Sequence, residues 1–89
     1  MGVSYEEMSE MLKALAHPAR MKIVIGLLKD ECNVNQIQKV LGLPQSTISQ
    51  HLRILRNAGI IKGRREGTKT CYRVIDVRVR KIVGIIKGK

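Results

Sequence analysis

A mainly α fold carrying one small β-hairpin, in the order α-α-α-α-β-β-α, is what this 89-residue sequence predicts, and three observations carry it. Apolar residues recur at helical spacing in four successive segments, the spacing turns extended after Ile60, and a further helical stripe follows Asp76. Two of the helical segments are separated by only a few residues around Gly42, a connection tight enough to force a steep crossing, as in a helix-turn-helix. The length suits a single domain over residues 1–89 and leaves no room for a separate catalytic unit.

Ser4 followed by Glu7 is a capping box, in which each side chain takes up a backbone N–H left free at a helix start. Met8, Met11, Leu12 and Leu15 then share one face of the first helix. Proline disfavours helical geometry in the residue before it and suits the first turn of a new helix, so His17-Pro18 ends that helix and opens the second, over residues 18–28. Its buried face is Met21, Val24, Leu27 and Leu28. Gly26 lowers helix propensity by about 1 kcal/mol relative to Ala, and its presence predicts a close helix contact.

Asn33 and Gln36 read as an Asn form of the capping box for a short third helix with Ile37, Val40 and Leu41 inward, stopped at Gly42. The fourth helix restarts at once and shows Ile48, Leu52 and Leu55 on one face up to Gly59. Residues 60–65 and 69–75, joined through Glu66-Gly67-Thr68, fit a β-hairpin. Asp76 caps a last helix whose stripe is Val79, Ile82, Val83 and Ile86, with Arg78, Arg80, Lys81 and Lys87 off it.

Composition limits the partners. Lys and Arg number 17 against 7 Asp and Glu, a formal charge of +10 that favours a polyanion. Nucleic acid leads, and an anionic membrane surface comes second. The only aromatics, Tyr5 and Tyr72, supply no stacking platform for single strands, which turns the expectation to double-stranded DNA. Lys and Arg interrupt every apolar run, so neither a membrane span nor a leader is expected, and the location expected is cytoplasmic. Cys32 and Cys71 are too few for a secreted disulfide scaffold and lack metal spacing, so free thiols are the first expectation. No nucleophile elbow, phosphate loop or HExxH occurs, so neither an enzyme nor a cofactor is expected.

With its apolar face turned inward, the fourth helix presents Ser46, Ser49, Gln50, Arg53 and Asn57, flanked by Gln45 and Arg56. All donate hydrogen bonds and none is acidic. Gln and Asn match adenine edges, Arg matches guanine, and Ser reaches bases or phosphates, so the face suits a major groove. A merely solvated face ordinarily mixes in Glu or Asp. The hairpin tip gathers Arg64, Arg65 and Lys69 around Gly67, suited to a minor groove or a phosphate backbone, or more plainly to keeping an edge strand from aggregating. The candidate DNA-binding set is thus Gln45, Ser46, Thr47, Ser49, Gln50, Arg53, Arg64, Arg65 and Lys69.

The order of elements and two local stretches, LAHPARMKI at residues 15–23 and LGLPQSTISQHLRILRNAGII at residues 41–61, resemble the ArsR/SmtB family of winged helix-turn-helix repressors. The resemblance covers roughly residues 8–75, including the hairpin "wing" from Arg64 to Tyr72. It implies a homodimeric transcriptional repressor on an operator, with Gln45, Ser46, Ser49 and Gln50 at the family's base-reading positions. The departures concern sensing. Many members bind metal through cysteines flanking a Val at the start of the third helix, where this chain has Asn33 and Asn35; others use Asp and His pairs on the last helix, where Arg78 stands near the His position. With only two Cys and two His, and with His17 in a helix junction and His51 within the fourth helix, no metal site is expected. A family that usually senses something leaves a redox or persulfide-type input at Cys32 and Cys71, which need α-carbons within about 7 Å to bond. The plainer use of both is as inert core residues.

The terminal stripes, Met8, Met11, Leu12 and Leu15 with Val79, Ile82, Val83 and Ile86, are expected to form a two-fold dimer interface, unless they close over one monomer's core. Such a dimer offers two recognition helices to successive major grooves about 34–36 Å apart, so the expected operator is an inverted repeat. The rival functions are a basic nucleoid or RNA-binding protein without sequence preference, and a protein-interaction module using the last helix.

Overall fold

The Ser4–Glu7 capping box forms: Ser4 Oγ accepts the Glu7 N–H at 3.1 Å, and Glu7 Oε1 accepts the Ser4 N–H at 3.3 Å. These bonds start α1 (Tyr5–Leu15) in a computed structural model that describes residue 2 and residues 4–88. There follow α2 (Pro18–Lys29), α3 (Val34–Leu41), α4 (Gln45–Asn57), the strands β1 (Ile61–Glu66) and β2 (Lys69–Val74), and α5 (Val77–Lys87). The order is the expected one.

At the α1–α2 junction His17 is itself the cap: its backbone is extended and its Nδ1 accepts the Ala19 N–H at 3.1 Å. The close contact expected at Gly26 is made with α3, since a Cβ built there would stand 2.7 Å from Ile37 Cδ1. The Asn33–Gln36 box does not form. Asn33, with φ −102° and ψ 28°, lacks the extended geometry that aims a cap side chain at the first turn, and its Nδ2 donates to the Gly26 carbonyl at 3.3 Å instead. Asn33 thus ties the start of α3 to α2.

The turn from α3 to α4 is only Gly42, Leu43 and Pro44. Gly42 takes the left-handed conformation that ends α3, φ 67°, and Gln38 Nε2 donates to the Leu43 carbonyl at 3.3 Å, closing the turn from the α3 side. One core forms around α2, whose Ile23, Val24 and Leu27 meet Met11, Ala14 and Leu15 of α1 and Ile48, Leu52 and Leu55 of α4. Ile60, Ile61 and Val74 bring the hairpin into it, and Val79 and Val83 bring α5. Two expectations change here. Met21 and Leu28 are half-buried where Ile23 is deep, and Val40 is 82% exposed because α3 lies at the periphery and buries only the turn holding Ile37.

β1 and β2 pair antiparallel from Ile61↔Val74 to Glu66↔Lys69, with Gly67 at φ 65° and Thr68 making the two-residue turn. The Tyr72 N–H donates to the Glu31 carbonyl at 2.8 Å, which lays the stretch before α3 along the outer edge of β2. Cys32 therefore meets Cys71, and the two are disulfide-bonded with α-carbons 4.2 Å apart. The expectation of free thiols is corrected by this juxtaposition. The whole is a winged helix-turn-helix, with α3 and α4 as the helix pair and the hairpin as the wing.

Candidate nucleic-acid interface

On α4 the sequence splits by face as helical periodicity requires. Ile48, Leu52 and Leu55 are buried, Thr47 is half-buried, and Gln45, Ser46, Ser49, Gln50, Arg53, Arg56 and Asn57 are exposed. No carboxylate occurs on this helix, and none stands in its first turn. Pro44 supplies no side-chain cap, so the positive end of the α4 dipole is left open to an anion.

The helix is held from behind by a residue that the sequence does not reveal. Arg20, half-buried on α2, donates from Nη1 to His51 Nδ1 at 3.3 Å and from Nε to the Ala14 carbonyl at 2.6 Å. His51, between Gln50 and Leu52, is the one charged or polar residue of the core among those described. Its ring lies 4.7 Å from that of His17, so both histidines serve the packing of α1, α2 and α4. Burial first, and then the electrostatic influence of the neighbouring His17 and Arg20 side chains, hold the His51 imidazole below its ordinary range.

The wing divides the three cations that the sequence groups together. Register puts Arg65 opposite Thr70, and Thr70, Thr68 and Lys69 line a cleft of about 600 Å³ facing Gln45 and Ser49 of α4 and Asn35 of α3. Gln45, Ser49 and Lys69 are thereby brought onto one surface, with Arg65 exposed beside it. Arg64 points to the other face of the hairpin. Its Nη1 meets Glu31 Oε1 at 2.8 Å and its Nε meets Glu66 Oε2 at 2.8 Å, and these hydrogen bonds, Glu66 first, raise its pKa above the usual arginine range. Two of its five N–H donors are thus engaged by carboxylates, which sets Arg64 apart from Arg65 and Lys69.

The terminal stripes also divide. Met11, Leu15, Val79 and Val83 are buried in the chain's own core, which corrects their assignment to a partner surface: one amphipathic face supplies inward residues first. Met8 and Ile82 are half-buried, Leu12 and Ile86 are exposed, and Tyr5, Val77 and Ile85 extend the outward apolar surface of the same two helices. Asp76, which caps α5 through the Arg78 N–H, is paired with the Arg78 guanidinium at 2.8 Å, and that bond holds its carboxyl below the usual carboxylate range. Among the described residues no three His, Cys, Asp or Glu are grouped to hold a metal ion, and no helix is long and apolar enough to cross a membrane.

Comparison with known proteins bears on the same elements. The profile of the bacterial regulatory protein family arsR matches residues 17–62, from the His17 cap through α4 into β1. The transcriptional repressor PagR of Bacillus anthracis is 41% identical over 85 residues, spanning 94% of this chain and 85% of PagR. Its crystal structure superposes with a TM-score of 0.78 over 91% of this chain and 93% of that one. An uncharacterised HTH-type transcriptional regulator of Methanocaldococcus jannaschii is 40% identical over 84 residues, 92% of this chain and 93% of its own length. A homodimeric winged helix-turn-helix DNA-binding domain of Mycobacterium bovis, solved by NMR, gives a TM-score of 0.81 at 28% identity over 97% of this chain and 85% of that one.

Proposed function

This chain belongs to the arsR family of bacterial regulatory proteins, and from that premise we propose that it is a transcriptional repressor that acts as a homodimer and reads an inverted-repeat operator. Membership makes it a DNA-binding regulator and not a catalyst. The observation that carries the finer reading is the exposed, acid-free face of α4, where Gln45, Ser46, Ser49, Gln50 and Arg53 stand on a helix fixed from behind by Arg20. Side chains on a rigid helix hold the geometry that bidentate contacts to base edges demand. Arg65 and Lys69 on the wing supply charge for the backbone or minor groove, contacts that position the protein without carrying sequence information.

The dimer is supported by the apolar surface left on the terminal helices. Tyr5 is 83% exposed, Val77 60%, Ile85 78% and Ile86 64%, an uncovered set that a two-fold partner using the same patch would bury. The Mycobacterium bovis neighbour is itself homodimeric. Two copies of α4 then fall on successive major grooves, with half-site centres about 10–10.5 base pairs apart or a multiple of that.

Selection from a random-sequence duplex pool by the purified protein tests this. The expected product is an inverted repeat bound by two chains, and a bound pool no different from the input would refute it.

A further inference from the structure

We propose that Cys32 and Cys71 form a thiol–disulfide switch that sets how firmly the wing is held against the helix-turn-helix, an inference that rests on the DNA-binding reading above. The bond joins residues 39 apart in sequence: Cys32, two residues before the helical start of α3 at Val34, and Cys71, two residues beyond Lys69 on β2. Cys32 also lines the cleft shared by Gln45, Ser49 and Lys69. The link therefore spans from the helix pair to the wing at the edge of the surface proposed to meet DNA.

Little else ties the two at this edge. The Tyr72–Glu31 backbone hydrogen bond is one tie, and the Arg64–Glu31 ion pair is the other, between side chains 45% and 36% exposed, where water screens most of its strength. The disulfide is the one covalent tie among the described residues. Breaking it leaves the hairpin joined to residues 30–33 by those two polar contacts, one from Tyr72 of β2 and one from Arg64 of β1.

Access is asymmetric, which directs the chemistry. Cys71 is fully buried and Cys32 half-buried, so reagents meet Cys32 first. In oxidation by a hydroperoxide, the Cys32 thiolate attacks the peroxide oxygen and breaks the O–O bond, giving a sulfenic acid and releasing an alcohol or water. The Cys71 sulfur then displaces water from that sulfenic acid and loses its proton as the S–S bond forms. In reduction by a small dithiol, its thiolate attacks Cys32 and expels Cys71 as thiolate; its second thiol then releases Cys32 and leaves as the oxidised disulfide.

The oxidised protein carries its wing already docked, with Thr68 and Lys69 over the cleft, so binding DNA orders less of the chain. The reduced protein must order the wing on binding. Oxidation therefore strengthens operator binding, by about tenfold for the loss of one or two restrained contacts.

The test uses the full chain and a duplex enriched from a random pool by wild-type protein, with a scrambled duplex as control. Affinity is measured after dithiothreitol and after hydrogen peroxide in wild type, Cys32→Ser and Cys71→Ala, alongside thiol titration and amide exchange at Tyr72. We expect tighter binding by oxidised wild type only, with slower Tyr72 exchange in that state only. Cys32→Ser alters a half-buried position and keeps the test valid should Cys71→Ala fail to fold. Equal affinity of the two wild-type states, or weaker binding after oxidation, with preference over the scrambled duplex retained, overturns the switch and leaves the DNA reading standing. No preference in either state defeats the DNA reading itself, and the switch with it.

Discussion

Arg20 hands a hydrogen bond to His51 Nδ1 at 3.3 Å while gripping the Ala14 carbonyl at 2.6 Å, so one side chain of α2 joins the end of α1 to the middle of α4. An arginine has donors only, which fixes the lone pair of His51 on Nδ1 and its proton on Nε2. The acid-free face of α4 is thus referenced to α1, which carries the exposed Tyr5 and Leu12. A proton at Nδ1 removes the acceptor and sets a second cation against Arg20.

Acid should therefore loosen the fold. His51 is held below the usual histidine value of about 6.5, by burial first and then by His17 and Arg20, so the unfolded chain takes up its proton at higher pH than the folded one. Stability rises with pH wherever the unfolded state binds more protons. The contribution is complete above about pH 6.5 and declines as pH falls from there toward the lower folded value. Urea midpoints at about pH 7.5 and about pH 5.5 should differ, with the acid one lower, and His51→Gln should shrink the difference. An undiminished difference in that variant would assign it to other groups.

Gly26→Ala should destabilise the protein despite the better helix former. Alanine gains about 1 kcal/mol in propensity, but its Cβ would meet Ile37 Cδ1 at 2.7 Å and Cγ1 at 2.9 Å, in a contact where overpacking costs roughly 1–3 kcal/mol. Trimming the neighbour should rescue it: Ile37→Val removes Cδ1, so the double variant should be more stable than the sum of the two single changes. Additive effects would mean that the α2–α3 contact yields without strain.

Arg65→Ala and Arg64→Ala should separate. Arg65 is exposed with no ionic partner among the described residues, and losing it should lower the salt slope of DNA binding by about one unit if it neutralises one phosphate. Arg64 is paired with Glu31 and Glu66, so its loss should leave the slope unchanged and alter stability little, since exposed ion pairs are screened by water. Affinity against salt concentration for both variants checks this, and the opposite pattern would place Arg64, rather than Arg65, against the phosphates.

Gln50→Ala should relax base discrimination without unfolding the chain, because the side chain points outward between the buried Ile48 and His51. A lost bidentate contact costs roughly 1–3 kcal/mol against the preferred base and little against the others. Affinities for single-base-pair variants of the selected duplex report it. A uniform loss across all variants would make Gln50 a backbone contact.

What the sequence makes legible is local. The Ser4–Glu7 box, the crowding at Gly26 and the two faces of α4 each follow from residues within a few turns of one another, and each forms. Partners distant in sequence are another matter. Glu31 lies 33 residues from Arg64 and Arg20 lies 31 residues from His51, so neither pairing leaves a periodic trace. The same limit explains Met11, Leu15, Val79 and Val83: an apolar stripe shows that a face is covered, and whether by the chain's own core or by a partner depends on where the other elements lie. Asn33 fails as a cap for a related reason, since its backbone angle is set by the approach of α3 to α2.

The proposed function stands on sequence recognition by α4, presented twice by a dimer. Titrating labelled selected duplex and its scrambled counterpart at physiological salt, with protein stoichiometry followed by sedimentation, tests it most directly. Two chains per duplex are expected, with a preference of roughly a thousandfold or more, the range of specific over non-specific complexes. Equal affinity for the two duplexes would contradict it and leave a basic protein held to DNA by charge alone.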